Sequence, residues 1–269
     1  MNLYIVALFF ILLFSYLAFR KRKPERTSLS NADRNKFRSI LQEEISFYNT
    51  LGAKEQVRFL ILLERFLSDV NIEGVGTEIS DVDRVMIASS AIIPIFGFPD
   101  WKYKNLTNII LYPDTFNNDF QFEGGAREIM GMVGGGYMNG QMLLSRSALT
   151  KGFSKIPGKE NTGVHEFVHL LDSADGATDG IPDALISHEY AKPWLQMIHN
   201  EMHKIESGHS DINPYAVTNE AEFLAVSSEY FFEKPEKFKD KHPELYEQLC
   251  LVFNQDPAKV LAPNQGTRT

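Results

Sequence analysis

Residues 165–169 read His-Glu-Phe-Val-His, two histidines four positions apart inside an otherwise apolar run. On an α-helix that spacing puts both imidazoles on nearly the same face, one turn apart, where they can reach a single ion. Apolar Phe167, Val168, Leu170 and Leu171 would bury such a helix, and Asn161 or Thr162 could cap it. Two histidines on a buried helix need partners, and a metal satisfies both. Zinc accepts neutral imidazole nitrogen and keeps an open position in catalytic sites. Glu166 sits about 100° round the helix from His165. From there its carboxylate can take a proton from water without ligating the metal.

Two histidines do not complete a zinc site. A third histidine six residues on would mark the metzincin pattern, but that position is Asp175. A carboxylate from a later helix is the remaining resource. The segment Asn219 to Phe232, NEAEFLAVSSEYFF, offers Glu220, Glu222 and Glu229. Glu222 and Glu229 are seven apart and share a face, whereas Glu220 is turned about 200° from Glu222. Spacing leaves Glu222 and Glu229 tied.

The rest of the chain reads as helix-rich α+β. A helix is expected from Asn31-Ala32-Asp33 through Phe37, Ile40, Leu41, Ile45 and Tyr48. A second runs through Val57, Leu60, Ile61, Leu63, Glu64 and Phe66, and a third begins after Ser80-Asp81 and ends near Pro94 to Gly97. Asn108 to Tyr112, closed by Pro113-Asp114, and Gln141 to Ser145 read as strands. Helices are expected at roughly 186–206, 218–232 and 243–254. Seven of the 18 glycines fall between Gly124 and Gly140 without a following Gly-Lys-Ser/Thr. That excludes a phosphate loop and suggests a loop, or a rim over the site. Cys250 is the only cysteine, so a disulfide framework and a Cys-rich zinc site are excluded.

Leu3 to Phe19 is an unbroken uncharged apolar stretch, at the short end of what spans a bilayer as a helix. It lacks a basic segment before it and small residues at a cleavage point after it, so it reads as an uncleaved anchor. Arg20, Lys21, Arg22 and Lys23 would stay on the cytoplasmic side and leave the rest of the chain in the cytosol. Through residue 26 five basic residues face one acidic, so a chain of net charge −8 carries about −12 beyond them. An acidic body of that kind repels polyphosphate and argues against a nucleic-acid partner.

The pairing of His-Glu-Phe-Val-His-Leu-Leu-Asp with NEAEFLAVSSEYFF resembles the zinc-peptidase family that includes the enterobacterial Mlc titration factor A, itself related in site architecture to the anthrax lethal factor peptidase domain. The resemblance is densest over residues 163–257, including Asn213-Pro214-Tyr215-Ala216 and Phe253-Asn254-Gln255-Asp256-Pro257. Over about 55–150 it is looser, with Ile110-Leu111-Tyr112-Pro113 and Phe116 the clearest match. It implies an α+β, helix-rich, zincin-like metallopeptidase domain with a small β-sheet. It also implies zinc held by His165, His169 and Glu222, with Glu166 as general base. Tyr215 is implied to sit near the metal, able to hydrogen-bond an oxyanion, with Glu229 and Asp172 orienting the ligand imidazoles. The implied substrate is a peptide or protein, with Gln141 to Ser145 expected at the cleft rim. The alternative it carries is a membrane-tethered regulatory protein that binds a transcriptional repressor, with a structural zinc site. The expected organisation is an anchor with basic flank (1–23), a linker (24–32) and the zinc peptidase domain (33–269). That domain divides into a helical part (33–130) and a metal-site part (131–269). The anchor, in a bacterial inner membrane, departs from the enterobacterial member, which looks soluble.

Overall fold

A computed structural model describes residues 30–98, 100–124, 126–134, 140–154, 158–182, 185 and 191–261. The apolar stretch 3–19 and the glycines at 135 and 136 lie outside the described residues. Among the described residues no helix is long and apolar enough to cross a membrane.

The described residues open with helices α1 (Asn31–Glu44), α2 (Ser46–Thr50) and α3 (Ala53–Asp69). Ser30 caps α1 in a reciprocal box with Asp33. The single helix expected here is broken at Ile45, whose backbone is extended. In α3 the buried face is Phe59, Leu60, Leu63 and Phe66. Val57 and Ile61, read from sequence as part of that face, are 54% and 57% exposed.

Strand β1 (Asn71–Gly74), helix α4 (Asp81–Ile95) and strand β2 (Asn108–Tyr112) follow. Ser80 and Asp83 box the start of α4, and Arg146 clamps Asp83 with two 2.9 Å bonds. Strands β3 (Gly131–Val133) and β4 (Gln141–Ser145) complete a four-stranded sheet ordered β1-β2-β4-β3. The first three strands are parallel, and β3 runs antiparallel to β4 along the edge. The rim strand is therefore β3, hidden in sequence within the glycine-rich run; β4, the strand expected there, is interior. Alternation covers both faces of the sheet. Ile109, Leu111, Met142 and Leu144 join the helical core, while Tyr112 and Leu143 pack with Phe116 from the β2–β3 connection.

After α5 (Arg146–Gly152) comes α6 (Thr162–Asp172), which carries the two histidines. A Cβ at Gly163 would run into Ser90 of α4, so these two helices touch through small residues. Helices α7 (Ala191–Glu206), α8 (Glu220–Glu233), α9 (Pro235–Lys241), α10 (Pro243–Phe253) and α11 (Pro257–Leu261) finish the fold. Helix α8 is buried almost all round, the pattern of a helix inside a core. Helices α9 and α10, each opened by a proline, pack against it.

Phe231 of α8 anchors that wrap, its ring 4.9–6.3 Å from the rings of Phe232, Phe238, Tyr246 and Phe253. Replacing Phe231 by Ala should cost about 3–5 kcal/mol of stability, from lost transfer energy and the cavity left behind. The midpoint of urea unfolding measures it, and a loss below about 1 kcal/mol would mean that the wrap does not depend on this ring.

Candidate metal centre

Asn161 starts α6: its side-chain oxygen accepts the Val164 N–H at 3.1 Å. Val164, Phe167, Val168 and Leu171 then face the core, with Phe167 between the rings of Phe66 and Tyr103. Leu170, expected to be buried with them, lines the cleft instead. That inward stripe turns His165, Glu166 and His169 toward a cleft of about 1140 Å³ between α6, β3, the 100–106 segment and the start of α8.

At the base of the cleft His165 Nε2, His169 Nε2 and Glu222 Oε2 converge. The two nitrogens are 3.1 Å apart, and Glu222 Oε2 lies 3.1 and 3.5 Å from them. Ligands about 2.0–2.1 Å from a tetrahedral zinc lie about 3.3–3.4 Å from one another, so the spacing matches such a set. Among the described residues the buried Glu222 Oε2 has no neighbouring donor except the two imidazole nitrogens, so all three atoms face the point a cation would occupy. These three side chains could hold a metal ion.

The tie left open by spacing resolves in the geometry. Glu222, in the first turn of α8, reaches Nε2 of His165, while Glu229, two turns on, reaches Nδ1 at 2.8 Å. A neutral His165 that donates Nδ1–H to Glu229 would have its Nε2 lone pair free for a metal. Glu220 turns away to His199. Asp172 is buried and accepts the Gly180 N–H at 3.0 Å; among the described residues its other oxygen and His169 Nδ1 have no hydrogen-bond partner. Its contact is thus to the following loop, and among the described residues Asp172 makes no bond to either imidazole.

Charge is concentrated here. Burial alone would lower His165, but hydrogen bonds to Glu222 and Glu229 outweigh it and push it up to about 10. Burial would raise Glu222, yet the two histidines hold it far below the usual carboxylate range. The two shifts are the two sides of one contact between these side chains. Glu166 is raised, chiefly by burial, with the histidines pulling the other way. It is 7% exposed and packs against β3. A Cβ at Gly131 would meet its carboxylate at 2.5–2.8 Å, so only glycine leaves room for it. Sequence reading missed Gly131; its signal was diluted among the neighbouring glycines.

Tyr215 stands on a 3-10 turn (Pro214–Val217), 53% exposed, its ring 6.3 Å from that of His165. Burial, then the charge of Glu222, raises its hydroxyl and keeps it a donor. The turn is held from behind by Asp211, which takes bonds from Lys159 (2.9 Å), Tyr230 (3.0 Å) and His242 (2.9 Å). Asn213 adds a bond to Glu160 at 3.2 Å.

The family model for glucose-regulated metallo-peptidase M90 matches residues 19–254. The chain belongs to this family. Among curated relatives, Mlc titration factor A of Salmonella schwarzengrund is 29% identical over 231 residues, covering 80% of this chain and 84% of the relative. Mlc titration factor A of an Enterobacter strain is 29% identical over 81% and 85%. An uncharacterized protein of Synechocystis is 27% identical over 82% and 84%.

The support behind Tyr215 should depend on pH. Burial would lower His242, but hydrogen bonds to Glu201 and Asp211 hold it above its ordinary value. A raised histidine contributes stability that is complete below about pH 6.5 and fades as pH rises through the folded value. The stability difference between the parent and His242→Gln, read from urea midpoints, should therefore shrink from pH 6 to pH 9. Parallel curves across that range would show that the charged histidine contributes nothing.

Proposed function

We propose that this chain is a zinc-dependent peptidase that hydrolyses peptide bonds with activated water, Glu166 serving as general base. The observation that carries the reading is the placement of Glu166: one residue after His165, buried, and seated against the rim strand at the edge of the same cleft. Its raised proton affinity suits a group that must take and return a proton. His165, His169 and Glu222 are the proposed ligands, and Glu229 keeps the His165 tautomer ready. Zinc held there would supply Lewis acidity toward water and carbonyl.

The rim supplies the substrate's register. Met130 C=O and Gly134 N–H bond to β4, so by alternation the backbone groups of Gly131 and Val133 point away from it. An extended peptide adding there as a strand brings its carbonyl past Glu166 and Tyr215. Glu166 takes the water proton and delivers it to the leaving amine, and the Tyr215 hydroxyl donates to the developing oxyanion.

On the purified full chain, a zinc chelator should abolish cleavage of a mixed peptide library. Glu166→Gln should retain zinc and lose about 10²–10⁴ in turnover. Gly131→Ala, which displaces that carboxylate, should lose turnover with zinc retained. The relatives' name, a titration factor for Mlc, supports a second reading: regulatory binding to a transcriptional repressor, the zinc being structural. Zinc bound at one equivalent, with parent and Glu166→Gln equally inert on every peptide, would favour that reading. A parent that binds no zinc rules out both.

Residues 3–19 are proposed to tether the domain to a bacterial inner membrane, facing the cytoplasm, from their length, lack of charge and the basic run after them. The full chain should then stay with membranes through alkaline extraction, and release into the wash would end the anchor reading.

A further inference from the structure

We infer that Asn161 is a positioning residue for the metal site, setting zinc affinity through Glu229 and His165 without touching the ion. This rests on the zinc reading above. Asn161 is fully buried, and each of its polar groups except the backbone carbonyl serves a different part of the site. Its side-chain oxygen caps α6 through Val164 N–H. Its side-chain Nδ2 donates to Glu233 Oε1, on α8, at 2.8 Å. Its backbone N–H donates to Glu229 Oε2, whose other oxygen takes His165 Nδ1 at 2.8 Å. The side chain thus clamps the start of α6 to the end of α8, and the clamp aims the backbone N–H at the carboxylate that orients the ligand. Behind it, Gly152 leaves room: a Cβ there would come within 3.0–3.1 Å of Asn161.

The residue type follows from these duties. Aspartate or serine could cap the helix as well. Aspartate has no donor for Glu233 and would add a carboxylate beside two others. Serine keeps an acceptor for the cap but loses the amide donor. Of the three, asparagine alone carries the acceptor and the donor on separate atoms.

The test is zinc affinity, measured on the purified full chain by competition with a chromophoric chelator, together with thermal midpoint. Asn161→Ala should raise the zinc Kd about tenfold. Asn161→Ser, which keeps a cap acceptor, should also raise it and serves if the alanine variant does not fold. Ser80→Ala, an N-cap loss on α4 far along the chain, should lower the thermal midpoint and leave the zinc Kd unchanged. In a Glu229→Ala background the Asn161 substitution should add no further loss of zinc affinity, because its route to the metal is already cut. An unchanged Kd in both Asn161 variants, or the same loss in the Glu229→Ala background, overturns the inference while the zinc reading stands. A parent chain that binds no zinc overturns the zinc reading, and this inference falls with it.

Discussion

Two imidazoles and three carboxylates are packed into the seam where α6 meets α8 and β3, backed by a core of Val164, Phe167, Val168, Phe223 and Leu224. Charges taken out of water are costly unless their partners are placed accurately. That placement governs much of the surrounding architecture. Each His165 nitrogen faces its own carboxylate, Glu222 at Nε2 and Glu229 at Nδ1, and Glu229 is itself held by the Asn161 N–H. Moving α8 along its axis would break both histidine contacts together. This is why α8 is buried almost all round while α6 is amphipathic.

The three residues Lys159-Glu160-Asn161 join the parts. Lys159 and Glu160 bind the segment that carries Tyr215, and Asn161 binds α8 and begins α6. His165, Glu166, His169, Glu222 and Tyr215 come from α6, α8 and the Pro214 turn, and all three elements are tied to this one stretch. Small residues then set the distances: Gly163 against Ser90, Gly131 against Glu166, Gly152 against Asn161. None of these glycines has the positive φ that would explain it by backbone freedom; each is needed for closeness.

The centre was more legible in the sequence than its frame. His165, Glu166 and His169 could be read because helical periodicity converts a spacing of four into a shared face without tertiary knowledge. Glu222 and Glu229 could not be separated that way, since two residues seven apart point the same direction and differ only in which end of an imidazole they meet. Strand β3 was hidden because three residues, one of them glycine, are too few for alternation to register, and its partner lies ten residues on. The exposure of Val57 and Ile61 shows the opposite failure: apolar residues at helical spacing need not all face the core. Asn161 was legible as a cap, but its bonds to Glu229 and Glu233 span about seventy residues and no local pattern announces them.

The brevity of β3 has a consequence for how such a chain survives at high concentration. An unpaired sheet edge beside a cleft is also a template on which identical molecules can stack. Gly131 to Val133 offers outward backbone groups from only two residues, and α6 closes in directly beneath. A ribbon that short can hold a transient guest but gives a second sheet too few bonds to propagate.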